Sequence, residues 1–140
     1  MAVERVDKYT RKTVDGPTYS DFYTNFNGHP STGNLLVRTD IDSVKRALKN
    51  LINTEPNERL FNPDYGCNIR SLLFELNDNV LRSKLKDAIK YSVETYEKRV
   101  KIEDVVVGNI DDYTVSVDIY FRVMREEKIN LFNIKLDRVR

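Results

Sequence analysis

The sequence is poor in the residues that build most catalytic and metal sites, with one cysteine, one histidine and no tryptophan among 140 residues. The single Cys67 excludes an internal disulfide and a cluster of metal-bound thiolates, and we interpret it as a small, semi-buried side chain. The single His29 excludes metal sites with several histidines and most histidine-based catalysis. We therefore predict no cofactor and no metal site.

The chain also lacks a long apolar run and an excess of charge of either sign. No segment approaches the roughly 18 apolar residues of a membrane span, and residues 1–8 have no apolar core of a secretory signal. The 23 basic residues nearly balance the 22 acidic ones. Because binding to phosphates needs a basic excess, we expect neither a nucleic-acid partner nor a membrane partner.

Length and composition predict one globular domain preceded by an arm. With 40% hydrophobic and 32% charged residues, the chain can bury a core of its own. Residues 1–17 are polar and charged, so we assign them to an N-terminal arm and residues 18–140 to the domain. A turn-forming segment at residues 29–34 indicates two extended segments joined by a turn over residues 18–40.

Two amphipathic helices are predicted in the middle of the chain. Apolar residues recur at spacings of three and four between residues 41 and 52, so we expect a helix there, with Asp40 or Asp42 as its cap. A second, longer helix is expected from about residue 78 to residue 97, because its apolar residues form one stripe.

The segment between the helices is predicted to be a structured loop. Residues 57–70 carry asparagine, proline and glycine at positions typical of turns. We expect Leu60 and Phe61 to be the apolar anchor of this loop. A short helical turn is expected to follow at residues 71–75.

After residue 99 the period of the apolar residues changes to two, which indicates strands. We predict a strand at residues 102–107, a turn at 108–112, a strictly alternating strand at 113–123 and a weaker strand at 129–136. The inward residues of the last strand are expected to be Phe132, Ile134 and Leu136. Helices followed by strands predict an α+β fold, a small antiparallel or mixed sheet with the two main helices packed on one face.

Five short segments occur in an order and spacing that are specific together, although each alone is weak. Residues 20–22 and 29–34 precede the first helix, residues 42–54 form it, and residues 58–66 and then 72–75 belong to the loop and the short helical turn after it. In these segments the chain resembles the small baseplate wedge protein family of contractile phage tails, whose members have been labelled lysozyme-like. That family includes a related subunit of type VI secretion systems and extracellular injection particles.

Two positions depart from the family pattern. Asn57 stands where the family has glycine before the loop, and asparagine tolerates the left-handed backbone that the turn needs. Lys98 stands where the family has proline between a glutamate and an arginine. The charged pair is therefore kept, while the rigid stop of the helix is lost.

The resemblance implies a structural role and no enzyme activity. Family members clamp onto a helical bundle made by larger baseplate wedge proteins, and they template the first ring of tail sheath protein by strand addition. The implied protein is a monomer alone and is present in multiple copies around the baseplate of the virion. During assembly it would reside in the host cytoplasm.

The implied wedge-docking residues are Glu58 and Arg59 in the loop, and Glu97 and Arg99 after the second helix. We expect Glu97 and Arg99 to be accessible, because both follow the end of the helix. An arginine fork can hold a partner's carboxylate or chain-end carbonyls bidentately. The alternative for this pair is a solvated helix end. The alternative for Glu58 and Arg59 is an internal role in which they pin the loop.

The last strand is implied to be the edge that accepts a strand of the sheath, through backbone hydrogen bonds. The residues assigned to this edge are Ile129, Leu131, Asn133 and Lys135. The alternative is an edge that is covered by the C-terminus or by the arm.

Other functions remain open beside this one. One is the equivalent subunit of a type VI secretion system or extracellular injection particle. Another is cleavage of peptidoglycan by a lysozyme-like hydrolase, which needs two carboxylates flanking a sugar cleft. The candidate acids are Glu75, Glu94 and Glu97, paired with Asp64 or Asp87. Because Asp87 and Glu94 also fit an ordinary solvated helix face, we assign no catalytic residue.

Overall fold

The computed structural model of the chain describes residues 18–23, 25–75, 79–109, 113–124 and 127–137. The predicted arm and the predicted helix start at residue 78 lie outside the described residues. In chain order, the elements are β1 (Ser20–Phe22), β2 (Val37–Thr39), α1 (Asp40–Asn53), α2 (Ile69–Leu73), α3 (Asn79–Tyr96), β3 (Val100–Asn109), β4 (Thr114–Val123) and β5 (Ile129–Asp137).

The main sheet is antiparallel and has β4 at its centre, between β3 and β5. Val117 of β4 lies opposite Val107 of β3 and Ile134 of β5. Every second residue of β4 is buried from Val115 to Val123, as the alternating sequence predicted. Because β4 is paired on both sides, β3 and β5 form the two edges of this sheet in the described part of the chain.

The two main helices cover one face of this sheet and form the core with it. α3 contributes an apolar stripe of residues that are at most 1% exposed, namely Leu81, Leu85, Ile89 and Val93. α1 packs against α3 and adds Val44, Leu48, Leu51 and Ile52 to the same core. Full burial of one such side chain stabilises the fold by about 1.5–3 kcal/mol. The predicted α+β fold, with two main helices on one face of a small antiparallel sheet, is confirmed.

A second small sheet joins β1 to β2, which confirms the two extended segments. Asp40, however, does not cap α1 as predicted, because the N-cap residue is Thr39 and no side chain accepts a capping hydrogen bond there. The carboxylate of Asp40 instead accepts the backbone N–H groups of Thr18 and Tyr19, at 2.8 and 3.3 Å. The pairing of β1 with β2 places the residues just before β1 within hydrogen-bonding distance of the Asp40 carboxylate.

The loop between α1 and α2 is structured, but the prediction of its apolar anchor is wrong. Leu60 is 92% exposed and Phe61 is fully exposed. The half-buried Tyr65 contacts the core instead, and its ring stacks at a tilt on Tyr96 of α3, with centroids 5.2 Å apart. Asn57 has a φ of 72°, so asparagine does adopt the left-handed backbone of the family's glycine.

The end of this loop runs against the end of α1. Cys67 donates its backbone N–H to the carbonyl of Thr54 at 2.9 Å. Its side chain is 1% exposed, which is more burial than predicted, and burial raises the pKa of the thiol while a hydrogen bond with Ser92 partly offsets this. Gly66 has a φ of 136° and approaches the carbonyl of Thr54 so closely that a Cβ would lie 2.6 Å from its oxygen.

We predict that Gly66→Ala lowers the free energy of unfolding by roughly 2 kcal/mol or more, because it combines backbone strain with a clash against backbone atoms. The matched control is Gly33→Ala, where φ is 70° and a Cβ would have no neighbour within 4 Å. That variant should lose only the conformational part, about 1 kcal/mol. Urea unfolding monitored by circular dichroism measures both, and equal losses would contradict a steric role for Gly66.

Candidate docking surfaces

Glu97 and Arg99 form a two-pronged ion pair at the corner between α3 and β3. Nε and Nη2 of Arg99 donate to the two carboxylate oxygens of Glu97, each at 2.6 Å. Glu97 is buried, while Arg99 is half-buried with its guanidinium 5.4 Å from the ring centre of Tyr19. The hydrogen bonds that Arg99 donates to the Glu97 carboxylate raise the pKa of Arg99 above its ordinary value. The pair is thus a rigid internal contact.

The expectation that both charges are freely accessible is therefore wrong. α3 ends at Tyr96 without the family's proline, and the chain turns through Lys98 straight into β3. This tight turn folds Arg99 back onto Glu97. The same corner is tied to the end of β4, because Met124 donates its backbone N–H to the carbonyl of Arg99 at 2.8 Å.

Glu58 and Arg59 are exposed, but both make contacts within the loop. The carboxylate of Glu58 accepts the backbone N–H of Glu55 at 2.9 Å. The guanidinium of Arg59 lies 3.7 Å from the ring centre of Tyr65, which stacks on Tyr96. These contacts are those of the internal alternative, in which the charges pin the loop.

The predicted wedge-docking residues nevertheless converge on one region. Arg59 stacks on Tyr65, Tyr65 stacks on Tyr96, and Tyr96 is followed directly by Glu97. The hydroxyl of Tyr96 also donates to the carbonyl of Asp64 in the loop. The two tyrosines, which connect the two charged pairs, were not among the predicted site residues, because neither carries charge and both fit an ordinary apolar position.

The predicted sheath edge, β5, is an outer strand of the main sheet. Within the described residues it pairs with β4 and with no other strand. Its assigned residues Ile129, Leu131, Asn133 and Lys135 are exposed on the face away from the core. The inward residues Ile134 and Leu136 are buried and Phe132 is half-buried, as predicted.

Two of the candidate acids for glycoside hydrolysis are held in ion pairs. Glu75 is 2.6 Å from Lys84, near the start of α3. Glu94 lies ten residues beyond Lys84 on the same helix, a rise of about 15 Å along the helix axis. Asp87 and Glu94 stand on the exposed side of a single helix, and Glu97 is held by Arg99.

The part of the chain that the structure describes offers neither a metal site nor a membrane-spanning helix. No group of three or more histidine, cysteine, aspartate or glutamate side chains there could hold a metal ion. None of its helices combines the length and the apolar character that crossing a membrane requires.

The comparison with protein families assigns this fold to a class. Residues 38–128 match the family model described as baseplate wedge protein gp25. A curated relative, the baseplate wedge protein gp25 of Enterobacteria phage T4, is 34% identical over 83 residues, which cover 59% of this chain and 63% of the relative. The chain belongs to the baseplate wedge protein gp25 family.

Solved structures share the fold at low sequence identity. A candidate tail lysozyme from Geobacter sulfurreducens has a TM-score of 0.70 and 16% identity, covering 75% of this chain and 96% of that one. A chain of the anti-feeding prophage baseplate has a TM-score of 0.60 and 18% identity, covering 86% of both chains. A chain of a type VI secretion baseplate complex has a TM-score of 0.53 and 20% identity, covering 70% and 91%.

We predict that Glu97→Ala lowers the free energy of unfolding by roughly 1–3 kcal/mol, because it leaves the half-buried Arg99 without its charged acceptor. The double variant with Arg99→Ala should cost less than the sum of the two single variants. The control is Arg122→Ala, which removes the more exposed pair with Glu103 at 3.2 Å and should cost less than about 1 kcal/mol. Thermal or urea unfolding of the four variants decides, and additive losses at Glu97 and Arg99 would contradict the coupling.

Proposed function

We propose that this chain is a structural wedge subunit in the baseplate of a contractile phage tail, assembled in the host cytoplasm and retained in the virion. The observation that carries the proposal is the family match over residues 38–128, which extends from β2 through α3 to the end of β4. The relative at 34% identity is a phage protein, which favours a phage tail over a secretion system. The proposed partners are larger wedge proteins and the tail sheath protein.

The proposed wedge-docking surface is the corner between α3 and β3 together with the adjacent loop. Arg99 uses Nε and Nη2 on Glu97, so its remaining N–H groups can donate to carbonyls or carboxylates of a wedge protein. Glu97 fixes the direction of those donors. A preorganised guanidinium loses little conformational entropy on binding, which favours a defined orientation between subunits.

The proposed sheath template is the outer edge of β5. An edge strand exposes backbone N–H and C=O groups at alternate residues, and these can pair with one added strand. The core gives β5 a fixed position, because its inward residues Ile134 and Leu136 are buried against the helices. The position and direction of an added strand relative to the rest of the wedge subunit would therefore be fixed.

The same proposal assigns no catalytic role to the chain. A fold neighbour is described as a candidate tail lysozyme, but at 16% identity it shares the fold alone. Here Glu75 is bound to Lys84 and Glu97 is bound to Arg99, so neither carboxyl group is placed as a free proton donor over a cleft.

We predict that the purified chain does not clear a suspension of peptidoglycan, when a known muramidase clears it under the same conditions. Turbidity at neutral and acidic pH is the measurement. Clearing by the chain that is abolished in Glu75→Gln or Glu94→Gln would overturn the structural assignment.

We predict that blocking the outer edge of β5 stops sheath formation without stopping baseplate assembly. The variant is Asn133→Pro with Lys135→Pro, which alters two exposed residues of the same phase on the strand and removes two backbone donors. Phe132→Pro, in the opposite phase, is the control. Along β5, the backbone N–H groups of alternate residues point either towards β4 or away from the sheet. Proline at the residues whose N–H groups point towards β4 breaks hydrogen bonds of the sheet and lowers the melting temperature. Proline at the other residues removes only the outward N–H donors.

The proline variant that preserves the melting temperature is the one that tests the sheath edge. Electron microscopy of particles carrying that variant should show complete baseplates with bare tail tubes. Isolation of the baseplate after co-expression with the neighbouring tail genes should still recover the chain. Sheaths of normal length on those baseplates would exclude β5 as the template, and absence of the chain from isolated baseplates would exclude the wedge role.

A further inference from the structure

A groove with positive walls runs along the edge strand β5. Its lining on one side comes from α1 and from Arg38 of β2, and on the other side from β5. We name it the α1–β5 groove and define it by Arg38, Lys45, Lys49, Asn53, Phe132 and Lys135. No carboxylate is among its lining residues in the described part of the chain, although the chain as a whole is nearly neutral.

The groove lies where an added strand would have to run. α3 contacts β3, and α1 stands beside α3 in the same helix layer, so α1 is displaced towards the β5 side of the sheet. A strand paired with β5 lies about 4.8 Å beyond it. Alternate side chains of that strand would then point towards the helix layer, where they meet α1 next to Phe132.

Among the residues that the structure describes, the lysines of this groove have no ion-pair partner. The neighbouring arginines are already engaged: Arg46 contacts Asp21 and the carbonyl of Phe22, and Arg38 stacks on the ring of Tyr23 at 4.4 Å. By contrast, no salt bridge to a described residue is found for Lys45, Lys49 or Lys135. Lys45 and Lys49 are four residues apart on the same face of α1, and two ammonium groups of like charge favour an anionic neighbour.

We propose that the strand received by β5 is acidic, with carboxylates at the alternate positions that face α1 and pair with Lys45 and Lys49. This inference rests on the proposed strand addition and specifies the partner's chemistry. The backbone of β5 supplies affinity for any extended segment, whereas the lysines select its charge and its register. A protein strand fits better than a nucleic acid, because the pairing groups of β5 are those of a sheet edge.

The test reverses the charge of the groove and leaves the edge intact. Lys45→Glu with Lys49→Glu should reduce the fraction of baseplates that carry sheath by at least about tenfold, because two attractive contacts become repulsive. The matched control is Lys90→Glu with Lys101→Glu, an equal charge change at exposed positions that do not line the groove. Lys45→Arg with Lys49→Arg keeps the charge and should retain sheath formation. Melting temperatures of all three variants confirm folding.

The outcomes separate this inference from the proposal beneath it. If the proline variant of β5 blocks sheath but the groove reversal does not, β5 remains the template and the acidic strand is excluded. If neither variant blocks sheath formation, both the strand addition at β5 and the acidic strand are excluded. Suppressors of the groove reversal that change an acidic residue to a basic one in the partner strand would support the pairing directly.

Peptide binding to the isolated chain tests whether the α1–β5 groove prefers an acidic strand. A nine-residue peptide alternating glutamate with valine should bind at least about tenfold more tightly than the same peptide with lysine in place of glutamate, and this preference should reverse in Lys45→Glu with Lys49→Glu. Equal binding of both peptides, or equally tight binding of an oligothymidylate, would overturn the proposal. So would protection of the outer β5 amides from hydrogen exchange in the isolated chain, since the arm or a second copy would then fill the groove.

Discussion

The burial of alternate side chains along β4 is the constraint on which the rest of the structure depends. Phe121, Ile119 and Val117 are completely buried, so one face of the strand must be covered and both of its edges must be paired. α3 provides the cover, and β3 and β5 provide the pairing. Once β4 is central, the last strand of the chain becomes an outer strand. The location of the proposed template thus follows from the packing of the core.

Periodicity made the fold predictable, and the errors occur where periodicity carries no information. The elements α1, α3, β4 and β5 follow from spacings of three, four and two, and their bounds agree with the structure within a few residues. The left-handed Asn57 was also predictable, because few residues other than glycine tolerate that backbone. Each of these properties is local to a short stretch of sequence.

The surfaces were less predictable because they depend on contacts between distant segments. Leu60 and Phe61 are apolar, which favours burial, but Tyr65 occupies the place against the core that they were expected to fill. The internal pairing of Glu97 with Arg99 depends on a turn whose direction the sequence does not state. The positive groove exists only because the topology places α1 beside a strand some 80 residues later in the chain.

The burial of the single cysteine bears on the chemical stability of the chain. In air-exposed surroundings, exposed thiolates are oxidised or form cross-links between subunits. Cys67 is enclosed by the core, and burial raises its pKa, so the thiol stays protonated and shielded from oxidants at neutral pH. An oxidant can therefore reach this thiol only when the segment around Gly66 and Cys67 opens away from the core.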